Sequence, residues 1–415
     1  MRPIATLLLA SALIAVPALA AAAPKGANGK LWAAAQAARA EQLALLERLV
    51  NIDSGTGDKA SGQQAQEIVA EQLRALGMEV RLIPAEAPGL PDNLVATRKG
   101  RGKGQLLLIG HTDTVFEPGT VAKRRYRTDA TRAYGPGVGD EKGGVVEAIM
   151  AIKLLRDLKI DDYASITLLV ETSEERGSPG TRKLIAALVG EADVELNLEP
   201  GDTPDKITVW RKGSSAFEIA VKGRPAHAGV APQDGRNAAL ELIHQIGLAD
   251  GLPKTGDGLT ANLTLMKAGS RYNIIPEDAS AIINVRLREA SQGDEVTALL
   301  EKNAQTTVIP DTKVTIHRED SFPPLPSNPR TDALAGLAER IYGEIGMTLA
   351  RGGNGGASES ALAHAGGAAA LDGLGPVGGG FHSEQEFIEL GSVTPRLYLL
   401  ARLMIEMGRA PIPRN

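Results

Sequence analysis

Three short β-like runs in this chain each end on a histidine or a carboxylate. Leu106-Leu107-Leu108-Ile109 runs into Gly110-His111, Ile166 to Val170 into Glu171-Thr172-Ser173-Glu174-Glu175, and Val194 to Leu198 into Glu199. Short runs bounded by turn residues read as buried strands. Between the first two, Val145, Val146, Ile149, Ile152 and Leu155 recur at helical spacing, and a second helix is expected over 180–189. Strands alternating with helices predict an α/β domain with a largely parallel sheet. Such a sheet brings the carboxyl ends of its strands to one edge, where ligands bind. The polar clusters, distant in sequence, are therefore expected to meet.

The flanking segments extend this domain and interrupt it. A helix is expected over 30–50, followed by a Gly/Ser loop over 51–58. A second helix begins at Ser61, carries Ala65, Val69, Leu73 and Leu76 on one face and stops at Gly77. Further β-like runs lie at 79–84 and 93–97. The texture changes after Gly213. An alternating run at Phe217–Val221 precedes a helix over 237–249, β-like runs at 260–267 and 280–288, a helix over 292–305 and a strand over 312–317. This order predicts a smaller α+β, ferredoxin-like domain with its helices on one face of a sheet. Pro323 to Pro329 reads as the way out, and helices near 331–347 and 392–408 return to the first texture. The expected organisation is a catalytic domain over 25–212 and 327–415, with a mixed, largely parallel sheet, interrupted by a domain over 213–326.

The first twenty residues read as an export signal. Arg2 supplies the positive end, Ile4 to Val16 is almost wholly apolar, and Ala18-Leu19-Ala20 offers small residues for cleavage. That apolar run is shorter than the roughly 20 residues a spanning helix needs. The expected location is periplasmic or secreted, with no membrane attachment after cleavage. A net charge of -5 and the lack of a basic stretch argue against a nucleic-acid partner. The chain has no cysteine, so a metal site must be built from imidazole and carboxylate.

Four clusters carry the chemistry: His111-Thr112-Asp113, Asp140-Glu141, Glu174-Glu175 and Glu199. Taken singly, a histidine after a strand or a pair of glutamates is ordinary surface. Gathered at one sheet edge, the carboxylates would repel and resist ionisation unless a cation offset them. Two divalent ions would do so. Imidazole with carboxylate suits zinc, and carboxylate-rich sites also admit manganese or cobalt. Asp113 lies on the same side of an extended chain as His111 and can accept the imidazole's second N–H. His382 sits in Gly378-Gly379-Gly380-Phe381-His382-Ser383, a loop able to close over the same edge.

These segments, read together, resemble the M20 family of metallopeptidases, and most of all its exported glutamate carboxypeptidase branch. The likeness is carried by Gly110-His111-Thr112-Asp113-Thr114-Val115, by Tyr134 to Gly144 with Asp140-Glu141 inside it, by Glu174-Glu175-Arg176-Gly177-Ser178, by Glu199-Pro200 and by Phe381-His382-Ser383. It spans essentially the whole chain after the signal. The resemblance implies that His111 and Glu199 bind one metal, Glu175 and His382 a second, and that Asp140 bridges both. It implies Glu174 as general base, Asp113 as the group orienting His111, and a cis Asp140–Glu141 peptide. His227, in Arg224-Pro225-Ala226-His227-Ala228-Gly229, matches a histidine that reaches the partner subunit's active site, which implies a homodimer built through the smaller domain. Arg286 matches the arginine that holds a substrate carboxylate, and Asn273 is its companion. Gly355, Gly356 and Ser358 match a substrate-binding loop, although Ser358-Glu359 stands where relatives often have Thr-Asp or Ser-Asp. Lys206 aligns loosely with a substrate contact.

The implied activity is hydrolysis of an amide bond next to a free C-terminal carboxylate, releasing glutamate from a small peptide or N-acyl amino acid. The rivals are a deacylase or dipeptidase of the same family and an exported binding protein that has lost catalysis. His244, His317 and His364 match no motif, and Trp32 and Trp210 read as packing residues.

Overall fold

The strand Gln105–His111 is the pivot of the larger sheet. Six strands are ordered 79–83, 93–99, 165–171, 105–111, 194–197 and 369–371. The last four run parallel, and the first two join antiparallel at one edge. The computed structural model describes residues 23–414, so the expected signal over 1–20 lies outside the described residues. Among those described, no helix is long and apolar enough to cross a membrane.

The chain leaves strand 105–111, adds 165–171 on one side, then returns to add 194–197 on the other. The winding therefore reverses at 105–111, and the two crossover helices cover opposite faces. Leu106 and Leu108 pack with Val145 and Ile149 of helix Lys142–Asp157. Leu107 and Ile109 pack with Ile185 and Val189 of helix Arg182–Glu191. A reversal of this kind opens a crevice at the carboxyl end of the sheet.

Helix Lys142–Asp157 is apolar almost all round, and 13 of its 16 residues are buried. A helix of that composition belongs between layers. It and helix Val393–Arg409 touch both strand 105–111 and strand Gly375–Gly379. The latter belongs to a second, seven-stranded sheet ordered 350–354, 206–211, 200–202, 375–379, 387–389, 132–134 and 127–128. This sheet is not foreshadowed in the sequence. Its strands are two to six residues long, several are glycine-rich, and they lack period-two alternation. Elsewhere the expected helices appear within a few residues, over Gly29–Val50, Lys59–Ala75 and Pro329–Glu344.

A four-stranded antiparallel sheet is built wholly from 213–322, ordered 260–268, 278–287, 213–222 and 313–322. With helices Ala238–Ala249 and Ser291–Ala304 it forms the β-α-β-β-α-β sequence of a ferredoxin-like unit. Phe217, Ile219, Ile283, Val285, Leu242, Val296 and Leu300 close its own core. The two chain crossings into it lie side by side: Arg211 and Leu325 exchange backbone hydrogen bonds of 3.0 and 3.1 Å. Gly213 permits that approach, because a Cβ there would stand 2.7 Å from the Pro324 nitrogen. Trp32 packs edge-on against Tyr398, and Trp210 lies under the Arg288 guanidinium at 4.2 Å.

Candidate metal centre

Each side chain of the centre is delivered by the end of an element. His111 closes strand 105–111, Glu174 and Glu175 form a short 3-10 turn three residues beyond strand 165–171, and Glu199 follows strand 194–197. Asp140 arrives from the turn before helix 142–157. That helix presses so close that a Cβ on Gly144 would stand 2.0 Å from the Leu198 carbonyl oxygen, and only glycine is accommodated. The close fit brings Asp140 next to Glu199. The Asp140–Glu141 peptide is cis.

The two oxygens of Asp140 face two different histidines. Oδ1 lies 3.2 Å from His111 Nε2, and Oδ2 lies 3.1 Å from His382 Nε2. Glu199 Oε1 stands 3.9 Å from His111 Nε2, and Glu175 Oε2 stands 3.1 Å from His382 Nε2. His111, Asp140 and Glu199 thus form one group with ligand-type atoms within 4.8 Å of one another, and Asp140, Glu175 and His382 form another. His111 Nε2 is buried and has no hydrogen-bond partner. Glu174, Glu199 and Glu359 make a third, purely acidic group.

The surroundings hold these groups in place. His111 Nδ1 lies 2.9 Å from the Asp113 carbonyl oxygen, while the Asp113 carboxylate is 3.5 Å away. The imidazole is therefore oriented chiefly by the Asp113 backbone rather than by its side chain. The Asp113 carboxylate instead accepts the Thr56 hydroxyl at 2.6 Å and the backbone N–H groups of Glu174 and Glu175 at 3.2 and 3.3 Å. Glu199 is met by Arg211 Nη2 at 3.3 Å, and Arg211 also forks onto Asp372 with two 2.7 Å bonds.

So many buried acids disturb one another. Burial pushes Glu199 up to about 8 against the opposing pull of Arg211. Burial, then Glu359, pushes Glu174 well above the usual carboxylate range. Asp140 goes the other way: burial would raise it, but the neighbouring imidazoles of His111 and His382 hold it below its ordinary value. Hydrogen bonds to Asp140 and Glu175 raise His382 to about 10. A compact site of this kind is electrostatically suited to cations.

A cavity of about 450 Å³ opens onto the centre. Asp140, Glu174, Glu175, Glu199 and His382 line it, and so do Arg286 and Gly356. Other residues expected there are elsewhere. Ser358 is buried, and its hydroxyl donates to Asp372 at 2.5 Å while capping helix Glu359–Ala365, so it serves that helix and not the cavity. Gly355 and Lys206 do not line the cavity either; the Lys206 stem lies against Gly352. His227 and Asn273 are brought together, since Ala228 N–H donates to the Asn273 carbonyl at 3.0 Å, but both lie outside the cavity that holds Arg286. Arg211 and Asn354 line the cavity without having been singled out in the sequence. Arg211 could have been suspected as the first of two cations closing the run Ile207 to Trp210. Asn354 carried no signal.

Comparison with known proteins agrees with this geometry. The model of peptidase family M20/M25/M40 matches residues 107–406. The chain is 34% identical over 379 residues to carboxypeptidase G2 of Pseudomonas sp. (strain RS-16), covering 90% of this chain and 91% of that one. It is 30% identical over 321 residues to the succinyl-diaminopimelate desuccinylase of Methylobacterium radiotolerans, covering 71% and 80%. Among solved structures, a dinuclear metal-binding M20 peptidase of Bacillus subtilis superposes with a TM-score of 0.64 at 14% identity, over 90% of this chain and 99% of that one.

Proposed function

The chain belongs to peptidase family M20/M25/M40, and from that premise we propose that it is an exported two-zinc carboxypeptidase that cleaves an amide bond next to a free C-terminal carboxylate, with glutamate as the released residue. The observation that carries the reading is Asp140, whose two oxygens address two separate histidine–glutamate pairs. The donor set fits the metal. His111 presents a buried, unpartnered Nε2 toward carboxylates, and every other candidate donor is imidazole or carboxylate. His111, Glu199 and Asp140 would hold one ion, and Asp140, Glu175 and His382 the other; manganese or cobalt would also suit these donors. Two such ions, when bound, polarise a carbonyl and make a water acidic enough to attack near neutral pH.

The remaining work falls to the chain. Glu174, buried at the cavity wall, takes the proton of the attacking water and returns it to the leaving amine. The Asp113 carboxylate fixes the backbone that carries Glu174 and Glu175. Arg286, steadied by a 3.0 Å bond from its Nε to Asn284, grips the substrate carboxylate with its planar fork.

His227 and Asn273 would enter from a second copy of the chain. The surface beside them supports a homodimer. Leu240, Ile243 and Leu248 on helix 238–249, and Leu263, Leu265 and Met266 on the edge strand 260–268, are exposed large apolar residues. An apolar edge strand left open is a pairing surface.

The test is a panel of N-acyl glutamates, dipeptides and folate-like compounds offered to the zinc-loaded protein, with and without chelator. Chelator-sensitive release of C-terminal glutamate is expected. A protein without bound transition metal and without chelator-sensitive amidase activity would end the proposal. The likeness to a desuccinylase favours a second reading, an N-acyl-amino-acid deacylase, which the same panel separates by its acyl preference. A fully active monomer would rule out the contribution of His227 in trans.

A further inference from the structure

Glu386 is 2% exposed, and its carboxylate is engaged by backbone. Oε2 accepts from the Gly137 N–H at 2.9 Å, and Oε1 accepts from the Gly139 and Asp140 N–H groups at 2.9 and 3.1 Å. These donors belong to the turn that delivers Asp140. Glu386 itself stands four residues after His382, at the entry to strand Phe387–Glu389. That strand pairs on one side with 132–134, through Phe387 and Tyr134, and on the other with 375–379. One carboxylate therefore joins two segments 246 residues apart, each bearing a histidine or aspartate of the centre. The buried ammonium of Lys142, which donates to the Ile52 carbonyl at 2.9 Å, lies close enough for its charge to respond to Glu386.

We propose that Glu386 is a positioning residue whose carboxylate clasps the Gly137–Asp140 turn to the His382 loop and so sets the spacing of Asp140 and His382. The inference rests on the reading of Asp140 and His382 as metal ligands. Nothing in the hydrolysis itself uses Glu386. Its effect is on how well the two ligands are preset for the more open of the two ion positions, and residues of this kind are worth about 10–100-fold in metal affinity.

Glu386→Gln tests it, because the amide keeps the shape but turns an NH2 toward N–H donors. Zinc loss to a chelator is expected to quicken about 10–100-fold for the weaker ion. The kcat should fall, the KM should stay within about twofold, and excess zinc should recover part of kcat. Glu384→Gln, on an exposed neighbour in the same loop, should behave as wild type. A Glu386→Gln protein that releases zinc within about twofold of the wild-type rate overturns the proposal. If that variant does not fold, amide exchange in the metal-free wild type decides. The Gly137, Gly139 and Asp140 amides should be strongly protected although they lie in a turn, and exchange at the rate of an open loop would refute the clasp. Failure of the metal reading looks different: Asp140→Asn and His382→Ala would then both retain two ions.

Discussion

The two groups that share Asp140 are built to different standards. The His111 side is sealed: His111 is fully buried, at the end of a central strand, and Glu199 is braced by Arg211 and through it by Asp372. The His382 side is open. The His382 side chain is 54% exposed, it stands on a loop, and its backbone sits at a φ of +60°, a conformation uncommon outside glycine. The contrast suggests a division of labour. The sealed position is set by the fold, whereas the open one is set by loops, and its histidine lines the cavity that His111 does not reach.

The largest expected effect comes from removing what the halves share. Asp140→Asn should abolish turnover beyond the roughly 10²–10⁴-fold that a general base supplies, and should lower metal content at both positions. Equal metal content in that variant would break the two-position picture. Next, Glu174→Gln should cost about 10²–10⁴ in kcat with metal content intact, measured by metal analysis beside single-turnover kinetics. Near-normal turnover would show the base to be misassigned.

The histidines test the contrast itself. In the metal-free protein, His111→Ala strands buried carboxylates and should cost about 3–5 kcal/mol by denaturant unfolding. His382→Ala, at a half-exposed position, should cost about 1 kcal/mol or less. Equal losses would erase the distinction between sealed and open sides. The smallest effect is in pH dependence. His382 is raised in the folded state to about 10, so its stabilisation is complete below its unfolded value near 6.5 and is lost as pH climbs toward 10. Glu199, raised to about 8, acts in the same direction between its unfolded value near 4.5 and pH 8. The Tm of the metal-free protein should therefore fall from pH 6 to 9, and His382→Ala should flatten the upper part of that fall. A Tm that rises over this range would contradict both assignments.

The sealed half was also the more legible in sequence. His111 and Glu199 end β-like runs whose burial is written in their composition, so their meeting follows from a parallel sheet. His382 is legible only through its motif, because its neighbourhood is glycine and polar loop without periodicity. The same lack of pattern hid the seven-stranded sheet, whose strands owe their conformation to distant partners such as Gly375 beside Pro200. Ser358 departs from its expected place for a related reason: its neighbours fit a binding loop, but its hydroxyl is claimed by Asp372 across a fold the sequence does not display. Glu386 left no trace, since its partners are backbone amides and a sequence records only side chains.

The paired crossings at Arg211 and Leu325 have a consequence for modularity. The chain departs and comes back within one backbone hydrogen bond, so the sealed layer meets the inserted unit as a loop of nearly zero span. Excising 214–321 and bridging the gap with a short turn should leave a protein that still folds and chelates, because none of the donors His111, Asp140, Glu175, Glu199 and His382 lies in the excised stretch. It would have lost Arg286 and, with it, the carboxylate grip proposed for that side chain. Such a remnant would separate, in one molecule, the capacity to hold metal from the capacity to choose.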